Sequence, residues 1–84
     1  MNVQAEVSLY PLRQLDLAEP IQQFVERLIH DQLQVNSGAM STNVAGESRL
    51  VFESLKNAFE QIAEKYEAVV TIKISNACKG FKEL

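Results

Sequence analysis

The chain has 84 residues, a formal net charge of −3 and one cysteine, Cys78, which makes one domain, residues 1–84, that buries only about 60–65% of its unfolded surface. With no disulfide available, self-association is the expected supplement to so small a core, and a lone cysteine fits a reducing cytoplasm. Eight Lys and Arg scattered among eleven acids argue against nucleic acid as a partner, and neither a secretion signal at Met1–Glu6 nor the ~20 apolar residues of a membrane span is expected.

Val3, Ala5, Val7 and Leu9 alternate with Gln4, Glu6, Ser8 and Tyr10, the period of a strand with one buried face. Pro11 is expected to end it, since proline donates nothing to a ladder. Ile21, Phe24, Val25, Leu28, Ile29 and Leu33 form one helical stripe. Asp16 with Glu19 offers one start, a capping box. The other lies nearer Ala18 or Glu19 and is favoured, because it keeps Pro20 in the first turn. Gln34 to Ala45 reads as two short strands meeting around Gly38-Ala39-Met40, a tight turn or a bulge. Gly46-Glu47-Ser48 breaks the pattern and supplies a cap. Val51, Phe52, Leu55, Ala58, Phe59, Ile62, Ala63 and Tyr66 form a second helical stripe, and Val70, Ile72 and Ile74 alternate along a last strand. The tail from Lys79 to Leu84 carries no clear signal.

The order βαββαβ predicts an α+β, ferredoxin-like sandwich: an antiparallel four-stranded sheet with two helices on one face. Its core is expected to hold Val7, Leu28, Ile29, Phe52, Leu55, Phe59 and Ile72. The other sheet face, with Gln4, Glu6, Ser8 and Tyr10 from the first strand and Val69, Thr71, Lys73 and Ser75 from the last, is left bare and suits another copy of the chain.

Fold alone does not give function, so the residues must. The third strand near Ser41-Thr42-Asn43-Val44 has no aromatic on which an RNA base stacks. One cysteine excludes a Cys-x-x-Cys metal pair and an iron–sulfur centre. His30, the only histidine, is expected on a helix between its core stripe and solvent, remote from the serine-bearing strands. Arg13 and Asn43 loosely resemble the Arg and Asn of acylphosphatases, but no glycine-rich cradle lies between Pro11 and Leu17. No catalytic residue, cofactor or metal ligand is assigned, and a non-enzyme is expected.

What remains is three short polar patches, each attached to a strand: Val7-Ser8-Leu9-Tyr10-Pro11-Leu12, Gly38-Ala39-Met40-Ser41-Thr42, and Lys73-Ile74-Ser75-Asn76-Ala77-Cys78. Ser, Thr and Asn offer donors and acceptors on short side chains, as a small heteroaromatic ligand requires. Together with Gly46-Glu47 before Val51-Phe52, the patches resemble the thiamine-binding, YkoF-like proteins over nearly the whole chain. The resemblance implies a cytoplasmic, non-catalytic protein that binds thiamine or its hydroxymethylpyrimidine half in vitamin transport or salvage, and a homo-oligomer, for single domains a tetramer. The family often has Gly-Pro before Met-Ser-Thr, where this chain has Gly38-Ala39, and a glycine after the second helix, where it has Tyr66-Glu67.

On that reading the ligand site is Ser8, Tyr10, Met40, Thr42, Ser75 and Asn76. Tyr10 or Met40 supplies a flat or polarizable wall, and Glu6 offsets a thiazolium charge. Other roles compete: Ser75 and Asn76 as caps of a strand end, Ser41 and Thr42 as turn or strand formers, Tyr10 as interface packing, Glu6 and Lys73 as a cross-strand ion pair, Cys78 as a small hydrophobe. The alternative function is a stand-alone regulatory or protein-interaction module of the same fold.

Overall fold

The structure is a computed structural model and describes residues 1–31, 33–38 and 40–77. Cys78 and the tail beyond it lie outside the described residues. The elements run β1 (Asn2–Leu12), α1 (Ala18–His30), β2 (Gln34–Ser37), β3 (Thr42–Glu47), α2 (Ser48–Ala63) and β4 (Glu67–Ser75). They form the expected ferredoxin-like sandwich. The four strands pair antiparallel in the order β2-β3-β1-β4.

The period-two pattern of β1 does what it predicts. Val3, Ala5, Val7 and Leu9 are buried against the helices, together with Phe24, Leu28, Val44, Val51, Leu55, Ala58 and Ile62. Their strand partners share their face, so Val70, Ile72 and Ile74, opposite Leu9, Val7 and Ala5, also turn toward the helices. Gln4, Glu6, Ser8 and Tyr10 turn to the open face, beside Ser75, Lys73, Thr71 and Val69.

Both helix starts follow from local chemistry. α1 begins at Ala18, and Asp16 Oδ1 accepts the Ala18 N–H at 3.0 Å. Pro20 is its third residue, within the turn whose N–H groups have no helical partner. β3 runs into α2 without a loop. Glu47 caps the helix by accepting the Arg49 N–H at 3.1 Å, and β3 passes close to Leu33 at Gly46, where a Cβ would come within 2.8 Å of Leu33 Cδ2 and that side chain would have to shift. Between the helices, the buried Ser54 donates its hydroxyl to Asp31 Oδ2 at 2.7 Å.

Four expectations need correction. Pro11 does not end β1, which continues to Leu12, with Pro11 opposite Ala68. Past Val7 this strand is flanked by β4 alone, and proline is tolerated where one flank of a strand is open. Ile29, Phe52 and Ile72 are not core residues: 56%, 57% and 44% of their surface is exposed. Ile29 and Phe52 lie on the flanks of their helical stripes, beside the fully buried Leu28 and Val51. Ile72 lies on an edge strand, where the helical layer stops short. Val7, Leu28 and Leu55 are buried as expected, and Phe59 is partly so.

Candidate functional site

The ladder between β1 and β3 ends at the pair Val7–Thr42. β1 then runs on from Ser8 to Leu12 with β4 on one side only. On the other side β3 has given way to the β2–β3 turn, closed by a hydrogen bond from the Gly38 N–H to the Ser41 carbonyl at 2.8 Å. The result is a notch in the sheet beside the free edge of β1.

α1 closes the notch from the helical side with Ile21, Phe24 and Val25. β1 contributes Val7, Ser8, Leu9 and Tyr10, and the turn contributes Ser37, Gly38, Met40, Ser41 and Thr42. The cavity, partly open to solvent, is about 150 Å3. Residues from both sheet faces meet in it: Thr42, opposite Val7, from the helical face, and Ser8 and Tyr10 from the open one.

Its wall is apolar where α1 forms it and polar along the turn. Ser37 Oγ and Thr42 Oγ1 lie 3.4 Å apart. Ser41 Oγ donates to Glu6 Oε2 at 3.0 Å, which ties a carboxylate to the cavity wall. Lys73 Nζ approaches the other Glu6 oxygen at 3.9 Å, the cross-strand pair read from the sequence. Both partners are exposed, so the pair contributes well under ~1 kcal/mol. Tyr10 and Met40 stand at the rim, 52% and 89% exposed.

Of the six residues read as a ligand site, the structure brings four, Ser8, Tyr10, Met40 and Thr42, around this cavity. Ser75 and Asn76 lie elsewhere. Ser75 pairs with Gln4, four residues before Ser8 on β1, or about 13 Å along the strand. Ser75 Oγ accepts the Ala77 N–H at 2.9 Å, a turn at the strand end. Ser75 borders a hollow of about 300 Å3 on the open face, with Gln4, Asn43 and Lys73. It also borders one of about 360 Å3 with Asn76, Phe52 and Val3. Among the described residues, Ser75 and Asn76 do not line the cavity that Ser8, Tyr10, Met40 and Thr42 surround.

Ile21, Phe24 and Val25 were missed as site residues. They belong to an apolar helical stripe, and no sequence signal separates the floor of a cavity from ordinary core. Gln4 was missed too: its Oε1 is shut from water without a hydrogen-bond partner among the described residues.

Arg13 and Asn43, the phosphate pair considered above, do not meet. Asn43 lies opposite Glu6, seven positions before Arg13, or roughly 20 Å along the strand. Arg13 sits just past β1 with φ +54° and pairs with Glu67 at the start of β4. Among the described residues no group of His, Cys, Asp and Glu is arranged to hold a metal ion, and no helix is long and apolar enough to cross a membrane.

Among solved structures, the chain is similar to a hypothetical protein of Methanocaldococcus jannascii, with 23% identity and a TM-score of 0.84 over 95% of this chain and 84% of that one. It is also similar to a Streptococcus pneumoniae protein, with 22% identity and a TM-score of 0.83 over 89% and 86% of the two chains. A Thermotoga maritima protein provisionally assigned to thiamine biosynthesis or salvage matches at 18% identity and a TM-score of 0.81 over 88% and 82%. At these identities the likeness shows a shared fold. A comparison with curated proteins finds no match. The model of the YKOF-related family matches residues 2–80, nearly the whole chain, and this protein belongs to that family.

Proposed function

We propose that this protein binds thiamine or its hydroxymethylpyrimidine half in the cavity between β1, the β2–β3 turn and α1, and serves vitamin transport or salvage in the cytoplasm without catalysis. The observation that carries the reading is size. A cavity of about 150 Å3 equals an engineered one that holds a single benzene. It falls short of the ~300–1,000 Å3 usual for larger ligands. It therefore takes one six-membered ring, and the second ring of thiamine stays at the mouth beside Met40 and Glu6. Ser8, Thr42 and the turn serine Ser41 offer the hydrogen-bonding groups that a pyrimidine needs. Membership of the family and the provisional assignment of the Thermotoga maritima neighbour support the same ligand class.

We further propose that a second copy covers the open sheet face, where Tyr10 and Val69 lie side by side and half exposed, and that two such dimers make a tetramer. Ser75 and Asn76 then act at contacts between copies or as strand-end caps, away from the ring.

The test is calorimetry with thiamine and hydroxymethylpyrimidine on protein unfolded and refolded to strip any resident ligand. Binding of at least one compound is expected, and no heat from either overturns the reading. Sedimentation at micromolar concentration tests the assembly, and a 9.4 kDa species alone overturns it.

A further inference from the structure

We propose that the outer edge of β4 pairs, antiparallel and about a two-fold axis at Val70, with β4 of a second copy of this chain. This adds a second contact to the assembly proposed above, and it rests on observations independent of the open sheet face.

β4 ends the sheet order β2-β3-β1-β4, and among the described residues β1 is the strand paired with it. An edge strand is a template for another strand, and proteins blunt such edges with shortness, proline, a bulge or a charge, most often lysine. The opposite edge, β2, has four residues. β4 has nine, Glu67–Ser75, without a proline, and it pairs with β1 in unbroken register along its whole length. Its run of Val69, Val70, Thr71, Ile72 and Ile74 favours a strand. At this margin of the helical layer Ile72, Ile74 and Phe52 are exposed. A strand added here brings its own side chains beside Ile72 and Ile74 on that face.

The charges on β4 choose the partner. Lys73 alone would blunt the edge, but Glu67 mirrors it: the two lie three positions either side of Val70. Opposed residues of an antiparallel pair share a face. With Val70 opposite its own copy, Glu67 meets the partner's Lys73 and Val69 meets the partner's Thr71 on the open side. On the helical side Ala68, the smallest side chain of the strand, meets the partner's Ile72. Moving the axis by one residue, to Thr71 or to Val69, sets Lys73 against the partner's Val69 or the partner's Lys65, and the charge match is lost.

Within one protomer Glu67 is paired with Arg13, and Lys73 leans toward Glu6 at 3.9 Å. All four side chains are exposed in these contacts, so both charges of β4 are at hand for a partner. A second copy supplies the complementary charges by symmetry, twice per contact. An unrelated extended peptide has no such mirror.

The test uses two sets of variants. Glu67→Lys and Lys73→Glu each set like charges opposite one another, twice per contact. Sedimentation at micromolar concentration should show association weakened about tenfold or more, by a margin that shrinks at high salt. The double variant, Glu67→Lys with Lys73→Glu, restores the match and should associate as the wild type does. Oxidative cross-linking reads the register. In a Cys78→Ala background, Val70→Cys sets two thiols across the axis, with Cα atoms about 4.5–5.5 Å apart, within reach of a disulfide. Ile74→Cys, on the same face, is the control. Ile74 lies opposite the partner's Tyr66, which leaves its own copy roughly 27 Å away along the strand. The first protein should link into dimers and the second should not. Single charge variants that associate as the wild type does, a double variant that stays dissociated, or a Val70→Cys protein that links no better than Ile74→Cys overturns the inference. A dimer that survives every one of these changes leaves the open-face contact standing. A wild-type protein that sediments only as a monomer removes both contacts.

Discussion

Val25→Phe is the sharpest perturbation of the cavity. Val25 is half-buried on α1 and forms part of the apolar wall. Phenylalanine places a six-membered ring in a space of about 150 Å3, which holds only one such ring. The variant side chain occupies the position of the ligand. Burial of roughly 100 Å2 of ligand ring at about 25 cal/mol/Å2 contributes about 2.5 kcal/mol. Loss of that term alone weakens binding about 70-fold. Titration calorimetry with hydroxymethylpyrimidine reads the change directly. Circular dichroism and urea unfolding establish that the variant is folded, since an enlarged side chain costs about 1–3 kcal/mol where it does not fit. A folded Val25→Phe protein that binds the pyrimidine with unchanged affinity refutes the one-ring cavity as the binding site.

Glu6→Gln is expected to weaken thiamine several-fold and leave neutral hydroxymethylpyrimidine unaffected, because Glu6 is tied to the cavity wall through Ser41 and faces a ligand cation only when one is present; calorimetry on both ligands checks it. Leu55→Ala should cost about 2–5 kcal/mol in urea unfolding, whereas Phe52→Ala, at a side chain 57% exposed, should cost well under half as much. The Glu47 carboxyl lies below its ordinary 4.5: desolvation pushes it up, but the Leu50 and Arg49 N–H groups and nearby positive charges outweigh that. Its contribution to stability is therefore present above the unfolded value and lost as pH falls through the folded one. Glu47→Gln should accordingly lower the melting temperature at neutral pH and lose that effect in acid, as a pair of thermal melts will show.

The sequence makes the element order plain because each element keeps one period throughout. β1 alternates over eight residues, and both helices hold their stripes for three turns or more. Periodicity tells which side of an element is apolar, but not how far its neighbours extend. That is why Ile29, Phe52 and Ile72 read as core and prove to lie at its margins. The candidate site divides the same way. Ser8 and Tyr10 lie on one strand end and Met40 and Thr42 beside one turn, and they meet because the β1–β3 ladder ends at the pair Val7–Thr42. Ser75 belongs to a different strand, whose register against β1 follows from packing across the whole sheet. Nothing local in Ile74-Ser75-Asn76 announces that β4 passes Ser8 at Thr71 and reaches Ser75 only beside Gln4.

The pairing of β1 with β4 has a kinetic consequence. These are the first and last of the described strands, and their ladder of nine residue pairs is the longest in the sheet, against six between β1 and β3. On a ribosome β4 emerges last, so β1 must wait with that edge unpaired while the residues in between are synthesised. Joining segments so distant in sequence is slow, because most of the chain must be looped to close the contact. Every described residue lining the notch cavity, by contrast, lies between Val7 and Thr42, in the first half of the chain. The pocket's components are thus all made before the strand that completes the sheet, and a ring present during synthesis would meet its binding surface while the domain is still unfinished.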